Sequence, residues 1–313
     1  MGINKVQFQK GLSMAQFMDR YGTEEKCHAA AVALRWPDGF ACPECSETRH
    51  CRFERKGLTY WQCAACREQT TVMCGTVFEA TKLPLTTWFL AMHLLTQAKN
   101  NVSALELTRH LGVRYKTAWL LKHKLMQVMC EREAPRQLDG RDAYLGGELP
   151  GGKSGRGSEN KVSFIAAVQT TDAGRPLRVC LKKLEFTKEA IADWAKTALA
   201  ASARVVSDGL WCFRAVTAAG AAHERTVTGG GPGSVKLEQF RAVNTFLGNL
   251  KTAYSGTYHS FDFAKYAHRY LAEVQYRFNR RFDLSSILTR LLVATVRTPP
   301  RPERFLRAAE LCG

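Results

Sequence analysis

Four cysteines in the first quarter of the chain have the types and spacing to bind a metal ion. They form two Cys-x-x-Cys pairs and are Cys42, Cys45, Cys63 and Cys66. Thiolates in this arrangement are typical ligands of a structural zinc ion, which prefers four ligands in tetrahedral geometry. Residues 58–63 and 68–72 alternate as short strands do. The sequence therefore predicts a zinc ribbon in which Zn²⁺ supplies much of the folding energy.

Asp208 is the strongest single candidate for a catalytic carboxylate. It directly follows the Val-containing segment 203–207, which predicts a strand, and it precedes Gly209. Ligands and reacting groups commonly lie at the carboxyl ends of such strands. The alternative is that Asp208 caps a helix beginning near Trp211. The residues alone leave both interpretations open.

Asn244 and Lys251 are a second pair of polar residues, of types that can bind a metal ion and a phosphate. They are seven residues apart, which places them two turns apart on one face of a predicted helix. An amide oxygen can ligate a hard cation, and an ammonium group can bind a phosphate. The alternative is an ordinary solvated polar face.

Residues 85–130 show helical periodicity, with a glycine-containing break at 111–113. Ser103 and Glu106 have the spacing of a capping box at the start of one helix. Two helices joined by a tight turn are typical of a helix-turn-helix, although plain helical hairpins share the pattern. We expect DNA contacts from the second helix, through Arg114, Tyr115, Lys116, Thr117, Lys122 and Lys124.

The overall charge favours a polyanionic partner. The chain has 45 Lys and Arg against 28 Asp and Glu, for a net charge of +17. The apolar stretch 88–95 is too short to span a bilayer, and the N-terminus lacks the apolar block of a signal peptide. The 11 cysteines are spread through a long basic chain, so we expect reduced thiols in a cytoplasmic protein without a membrane partner.

The second half of the chain predicts an α/β domain. Strand patterns at 162–168, 177–182 and 203–207 alternate with helical patterns, including an amphipathic helix over 261–282 with phosphate-facing arginines. The expected fold is multidomain. Its predicted parts are an N-terminal helical segment at 1–37, the zinc ribbon at 38–75, a helix-turn-helix region at 76–134, an α/β domain at 135–290 and a C-terminal tail at 291–313.

Ordered motifs from residue 13 to 283 resemble those of bacterial insertion-sequence transposases that join a zinc ribbon to a DDE-type nuclease domain. The matching segments are 42–45, 61–66, 75–78, 81–88, 111–119, 142–147, 207–209, 244–251, 256–259 and 277–281.

This resemblance implies a ribonuclease-H-like fold for 140–283, in the variant with Asp, Asp, Asn and Lys at the site. It implies two Mg²⁺ ions, phosphoryl transfer, and a homo-oligomer acting on double-stranded DNA, both inverted-repeat ends and target DNA, in the bacterial nucleoid. The implied site residues are Asp142, Asp208, Asn244 and Lys251.

One segment departs from the family pattern. Arg141 stands where the resemblance places the first metal-binding Asp, and Asp142 occupies the next position. Neighbouring strand residues point to opposite faces, so Asp142 or Asp139 would have to substitute. We therefore expect impaired catalysis. The alternatives are an inactive zinc-dependent DNA-binding relic or repressor, and a zinc-ribbon protein of transcription or RNA handling.

Overall fold

The structure is a computed structural model, and it describes residues 9–134, 138, 143–146, 162–227, 237–258 and 261–309. The chain divides into two compact units. The first runs to Val128 and resumes at Phe282, and the second runs from Met129 to Arg281. Each unit is described separately below.

The helices of the described residues are, in chain order, α1 (Met14–Tyr21), α2 (Glu24–Arg35), α3 (Leu85–Gln97), α4 (Ala104–Leu111), α5 (Tyr115–Glu133), α6 (Lys188–Ala198), α7 (Arg241–Thr257), α8 (Phe263–Phe278), α9 (Ile287–Arg297) and α10 (Glu303–Ala308). The strands are β1 (His50–Arg55), β2 (Leu58–Cys63), β3 (Gln69–Thr70), β4 (Ala143–Gly146), β5 (Phe164–Thr170), β6 (Pro176–Lys183), β7 (Arg204–Ser207) and β8 (Ala222–Arg225).

The first unit combines a three-stranded antiparallel sheet, β1-β2-β3, with helices. Lys56 and Gly57 both have positive φ, 54° and 74°, and so make the tight turn between β1 and β2. Glu24 in α2 accepts hydrogen bonds from the backbone N–H groups of Leu85 (2.7 Å) and Thr86 (3.0 Å). This carboxylate therefore caps α3, whose own N-cap is a proline without a side-chain bond.

The segment expected as a C-terminal tail, 291–313, contains the greater part of α9 and all of α10. In α9, Leu288, Leu291 and Leu292 are buried, and the helix packs against α2 and α3. The apolar residues recur at helical spacing, so burial of this face stabilises the helix within the first unit.

The second unit contains a mixed five-stranded sheet with the order β6-β5-β4-β7-β8. The pairs β4–β7 and β7–β8 are parallel, and the other two pairs are antiparallel. Every residue of β5 is buried, in keeping with the continuous apolar run over 164–168. Ile165 and Ala167 share a core with Trp194 of α6 and Phe213 of the short 3₁₀ helix at Trp211–Ala219. This order of elements forms the predicted α/β domain.

Side chains from α8 and the residue just after it satisfy the edge of β6. Asn279 Oδ1 accepts from the backbone N–H of Val179 at 2.8 Å, and Asn279 Nδ2 donates to the Val179 carbonyl at 3.0 Å. Gln275 Oε1 accepts from the backbone N–H of Leu181 at 2.7 Å. An exposed strand edge invites pairing with other chains, so these amides take the place of a further strand.

A buried carboxylate orients both amides. Glu133 Oε2 accepts from Asn279 Nδ2 at 3.0 Å and from Gln275 Nε2 at 3.3 Å. Its other oxygen, Oε1, pairs with Arg280 Nη1 at 2.6 Å, and both side chains are at most 4% exposed. The pair is thus a desolvated, charge-assisted contact rather than a surface salt bridge.

Replacing Glu133 with Ala should strongly destabilise the second unit, because Arg280 would be left as a buried, uncompensated charge. We expect a loss of about 3–5 kcal/mol, measured as a lower midpoint of urea unfolding for the full chain. Glu133→Gln retains a hydrogen-bond acceptor, so its unfolding midpoint should fall between those of the wild type and Glu133→Ala. The exposed neighbour Arg132 is the control, and Arg132→Ala should change stability by less than about 0.5 kcal/mol. Equal midpoints for the Glu133→Ala and Arg132→Ala variants would contradict this role.

Candidate functional site

The two Cys-x-x-Cys pairs have the same local backbone structure. The N–H of Cys42 donates to the Glu47 carbonyl at 3.0 Å, and the N–H of Cys63 donates to the Glu68 carbonyl at 2.9 Å. Each first cysteine thus bonds to the residue five positions later. The repeated turn aims both cysteines of each pair toward the same point.

The residue after each pair has a left-handed backbone, with φ of 61° at Ser46 and 64° at Arg67. The four sulfur atoms lie within 4.8 Å of one another. The Sγ atoms of Cys42 and Cys66, and those of Cys45 and Cys63, are 3.5 Å apart. Zinc–sulfur bonds of about 2.3 Å place tetrahedral sulfurs roughly 3.8 Å apart, so the predicted tetrad fits a structural Zn²⁺.

The thiol of Cys63 is already biased toward its metal-binding form. The backbone N–H of Cys66 stabilises the thiolate and lowers the pKa of Cys63 to about 7. Trp61, buried in β2, lies 5.0 Å from the Trp36 ring and stacks at 5.9 Å on His28. These rings supply apolar packing for a module whose core is otherwise small.

Helices α4 and α5 form the predicted helix–turn–helix segment. Ser103 Oγ accepts from the Glu106 N–H at 3.0 Å, which is one of the two bonds of the predicted capping box. Gly112 ends α4 in the left-handed conformation, with φ of 64°, which glycine adopts without steric cost. A plain helical hairpin shares these features, so the helices alone do not identify a DNA-binding motif.

The start of α5 presents a polar and aromatic surface. Arg114, Tyr115 and Lys116 are exposed, and Thr117 is half-buried. Lys116 Nζ lies 3.2 Å from a carboxylate oxygen of Glu303 in α10. This surface ion pair is weak enough for another anion to replace Glu303.

The two lysines farther along α5 point into the first unit. Lys122 is only 1% exposed, and its ammonium group donates to the Val102 carbonyl. Lys124 donates to the Val77 carbonyl at 3.1 Å, and its Nζ lies 5.8 Å from the centre of the Trp88 ring. The prediction of phosphate contacts is therefore wrong for Lys122, and Lys124 is occupied by internal contacts.

The prediction of phosphate-facing arginines near the end of α8 is also wrong for Arg280 and Arg281. Arg280 is buried against Glu133, as described above. Arg281 donates to the Leu177 carbonyl at 3.1 Å and also bonds the Pro176 carbonyl. Both side chains bind the second unit's own groups rather than a phosphate.

Asp208 lies directly after β7, at the position expected from the sequence. Its Oδ1 accepts from the Leu210 backbone N–H at 3.2 Å, and the 3₁₀ helix has Leu210, not Asp208, as its N-cap. Gly209 has φ of 87°, and a Cβ there would lie 3.3 Å from Arg225 Nε. The positive φ of the turn favours glycine, and an added Cβ would also lie close to the Arg225 side chain.

Positive charge surrounds the residues next to Asp208. The buried Ser207 hydroxyl lies 2.9 Å from His223 Nε2. Burial, followed by the charges of Arg214 and Arg225, lowers the pKa of His223. Both arginines are exposed, so they leave a basic surface beside the carboxylate.

Asn244 and Lys251 are half-buried residues of α7, which packs against β4 and β5. Strand β4 in turn pairs with β7, with Leu145 opposite Ser207. The elements carrying Asp208 and Asn244 therefore flank one strand.

Asp139 and Asp142 lie outside the described residues. Within the described ranges, the cysteine tetrad is the one group of three or more His, Cys, Asp or Glu side chains whose ligand atoms lie this close together.

Comparison with known proteins agrees with this organisation. Residues 22–69 match the IS1595 transposase zinc-ribbon domain, and residues 137–279 match the ISXO2-like transposase domain of the IS1595 type. Together the two matches cover more than half of the 313 residues. The chain therefore contains a zinc-ribbon domain and a transposase domain of the IS1595 type. The predicted family resemblance is thereby confirmed.

A relative from Halobacterium salinarum is described as an uncharacterized protein in transposable element ISH50. It is 27% identical over 115 residues, which is 36% of this chain and 37% of the relative. No solved structure matches the chain. Across the described part of the chain, none of the helices combines the length and apolar character needed to cross a bilayer.

Replacing Cys66 with Ser should sharply weaken zinc binding, because a neutral hydroxyl or water is a much poorer zinc ligand than the thiolate it replaces. We expect about one zinc ion per wild-type chain and much less in the variant. Elemental mass spectrometry after dialysis measures this content. Cys51→Ser is the matched control, since Cys51 is an exposed ribbon cysteine outside the tetrad. Unchanged zinc in the Cys66 variant would disprove the tetrad.

Proposed function

We propose that this protein is a DNA transposase that binds the ends of its own element and catalyses metal-dependent strand cleavage and transfer. The observation that carries this proposal is the transposase-domain match over 137–279, which contains Asp208 at the end of β7. The zinc ribbon and the net charge of +17 support a DNA partner.

The proposed catalytic residues are Asp142, Asp208, Asn244 and Lys251. The Asp208 carboxylate and the Asn244 amide oxygen are hard ligands suited to Mg²⁺, with Asp142 as the further carboxylate. Two bound Mg²⁺ ions would supply activation of the attacking oxygen and stabilisation of the leaving oxygen. Lys251 would hold a phosphate of the DNA backbone by its ammonium group.

DNA binding is assigned to the first unit. The start of α5 would enter the major groove of an inverted-repeat end, with Arg114, Tyr115, Lys116 and Thr117 contacting the duplex. The ribbon would add backbone contacts. Joining two ends to a target requires more than one active site, so we propose a homo-oligomer assembled on DNA in the nucleoid.

A second candidate function is a catalytically inactive DNA-binding relic or repressor. The observation that favours it is Arg141, which occupies the position that the family resemblance assigns to the first metal-binding Asp. Losing one metal-binding carboxylate would reduce Mg²⁺ affinity and the rate without removing DNA binding.

Replacing Asp208 with Asn should reduce strand cleavage by at least about a hundredfold, because the amide carries no negative charge to offset that of Mg²⁺. The assay measures nicking of DNA that carries the element's ends, with and without Mg²⁺. Binding to the same DNA serves as the folding control and should be unchanged.

The variant Arg141→Asp separates the two candidate functions. A large gain in Mg²⁺-dependent cleavage would identify the natural chain as impaired. Equal and robust cleavage by the wild type and this variant would contradict the impairment, whereas no cleavage by either, with retained binding, would favour the repressor.

Replacing Lys116 with Ala should weaken DNA binding uniformly across sequences and lower the salt dependence. Loss of one phosphate contact reduces the slope of log K against log salt by about 1. Lys196→Ala is the matched control, because Lys196 is also exposed and paired, at 3.2 Å from Asp193 in α6. Identical salt slopes for the wild type and the Lys116 variant would exclude the contact.

A further inference from the structure

The side chain of Trp211 is exposed, although tryptophan side chains are usually largely buried. All six tryptophans lie in the described residues, and Trp211 is the one classed as exposed, at 55% of its surface. It begins the 3₁₀ helix three residues after Asp208. A single exposed apolar side chain is ordinary on a protein surface, so the informative observation is its position near a proposed catalytic carboxylate.

The surroundings of Trp211 are basic. Lys188 Nζ lies 5.4 Å from the centre of the ring. Arg214 follows in the same 3₁₀ helix, and Arg225 approaches Gly209 within the turn. An aromatic ring among exposed cations is the arrangement by which proteins hold single-stranded nucleic acid, since every base has a stacking face and every nucleotide carries a phosphate.

We infer that Trp211 stacks on an unpaired base of the DNA end that lies at Asp208. Lys188, Arg214 and Arg225 bind the phosphates that flank this base. The ring thereby fixes the unpaired strand next to the proposed cleavage site. The inference rests on the proposed function and adds to it a substrate feature, an unpaired nucleotide at the bound end.

The test compares three forms of one element-end DNA with the full chain. The first is fully paired, the second carries a short unpaired tail, and the third carries the same tail without bases. The third form keeps the tail's phosphates, so it separates base stacking from charge. Affinities are measured by fluorescence anisotropy of labelled DNA at one salt concentration.

Trp211→Ala should weaken binding of the tailed DNA by about tenfold, the size of a base–aromatic stack, and leave the other two forms unchanged. Trp211→Phe should restore most of the loss. Arg225→Ala should weaken binding of both tailed forms, because it removes a phosphate contact. Equal binding of all three forms by the wild type and Trp211→Ala would overturn the inference. So would an equal loss on all three forms.

Intrinsic fluorescence gives a second readout that needs no Ala variant. Tailed DNA should quench the wild-type emission more than base-free tailed DNA does, and this difference should vanish in Trp211→Phe. A persistent difference in that variant would overturn the inference.

A Trp211→Ala chain that loses self-association but keeps its preference for tailed DNA would overturn the inference and assign the ring to a subunit contact instead.

These outcomes are independent of the proposed catalysis. Cleavage without a preference that depends on Trp211 would overturn the stacking inference and leave the transposase function standing. A preference that depends on Trp211, with no cleavage under any condition, would overturn the catalytic function and leave DNA-end binding standing.

Discussion

The contacts of the buried Glu133 carboxylate organise the side chains that cover the β6 edge of the second unit's sheet. It neutralises Arg280 and orients the amides of Gln275 and Asn279, which satisfy the backbone of β6. Without this charge, the arginine would be a desolvated cation and the amides would lose their orientation. A polar network thus completes a sheet edge that would otherwise be open to other strands.

The zinc tetrad was predictable because its spacing is local: two residues between ligands define a turn whatever surrounds it. The start and the end of α4 were predictable for the same reason, through Ser103 and Gly112. Lys122 and Arg280 were not, because helical periodicity shows which residues share a face but not which face another element covers. Exposure of Trp211 likewise depends on tertiary packing and left no sequence signal.

The forces that hold the second unit are separate from its proposed chemistry. Its core comes from apolar residues of β5, α6 and the 3₁₀ helix, and its edge comes from Glu133 and α8. The described bond of Asp208 is to the neighbouring turn. The Glu133 network and the apolar core consist of residues other than the proposed catalytic set, so they can persist in a chain whose proposed metal site is incomplete.

The zinc ribbon has one further property that follows from its two matching turns. Each turn closes through its own backbone bond, at Cys42 and at Cys63, and the β1–β2 hairpin connects them. The hairpin tip at Lys56 and Gly57 lies at the far end from Cys63, which pairs with His50. Insertions in pairs at that tip would lengthen both strands in step and leave the ligand geometry intact. Evolution can thus vary the reach of the hairpin while the metal site stays constant.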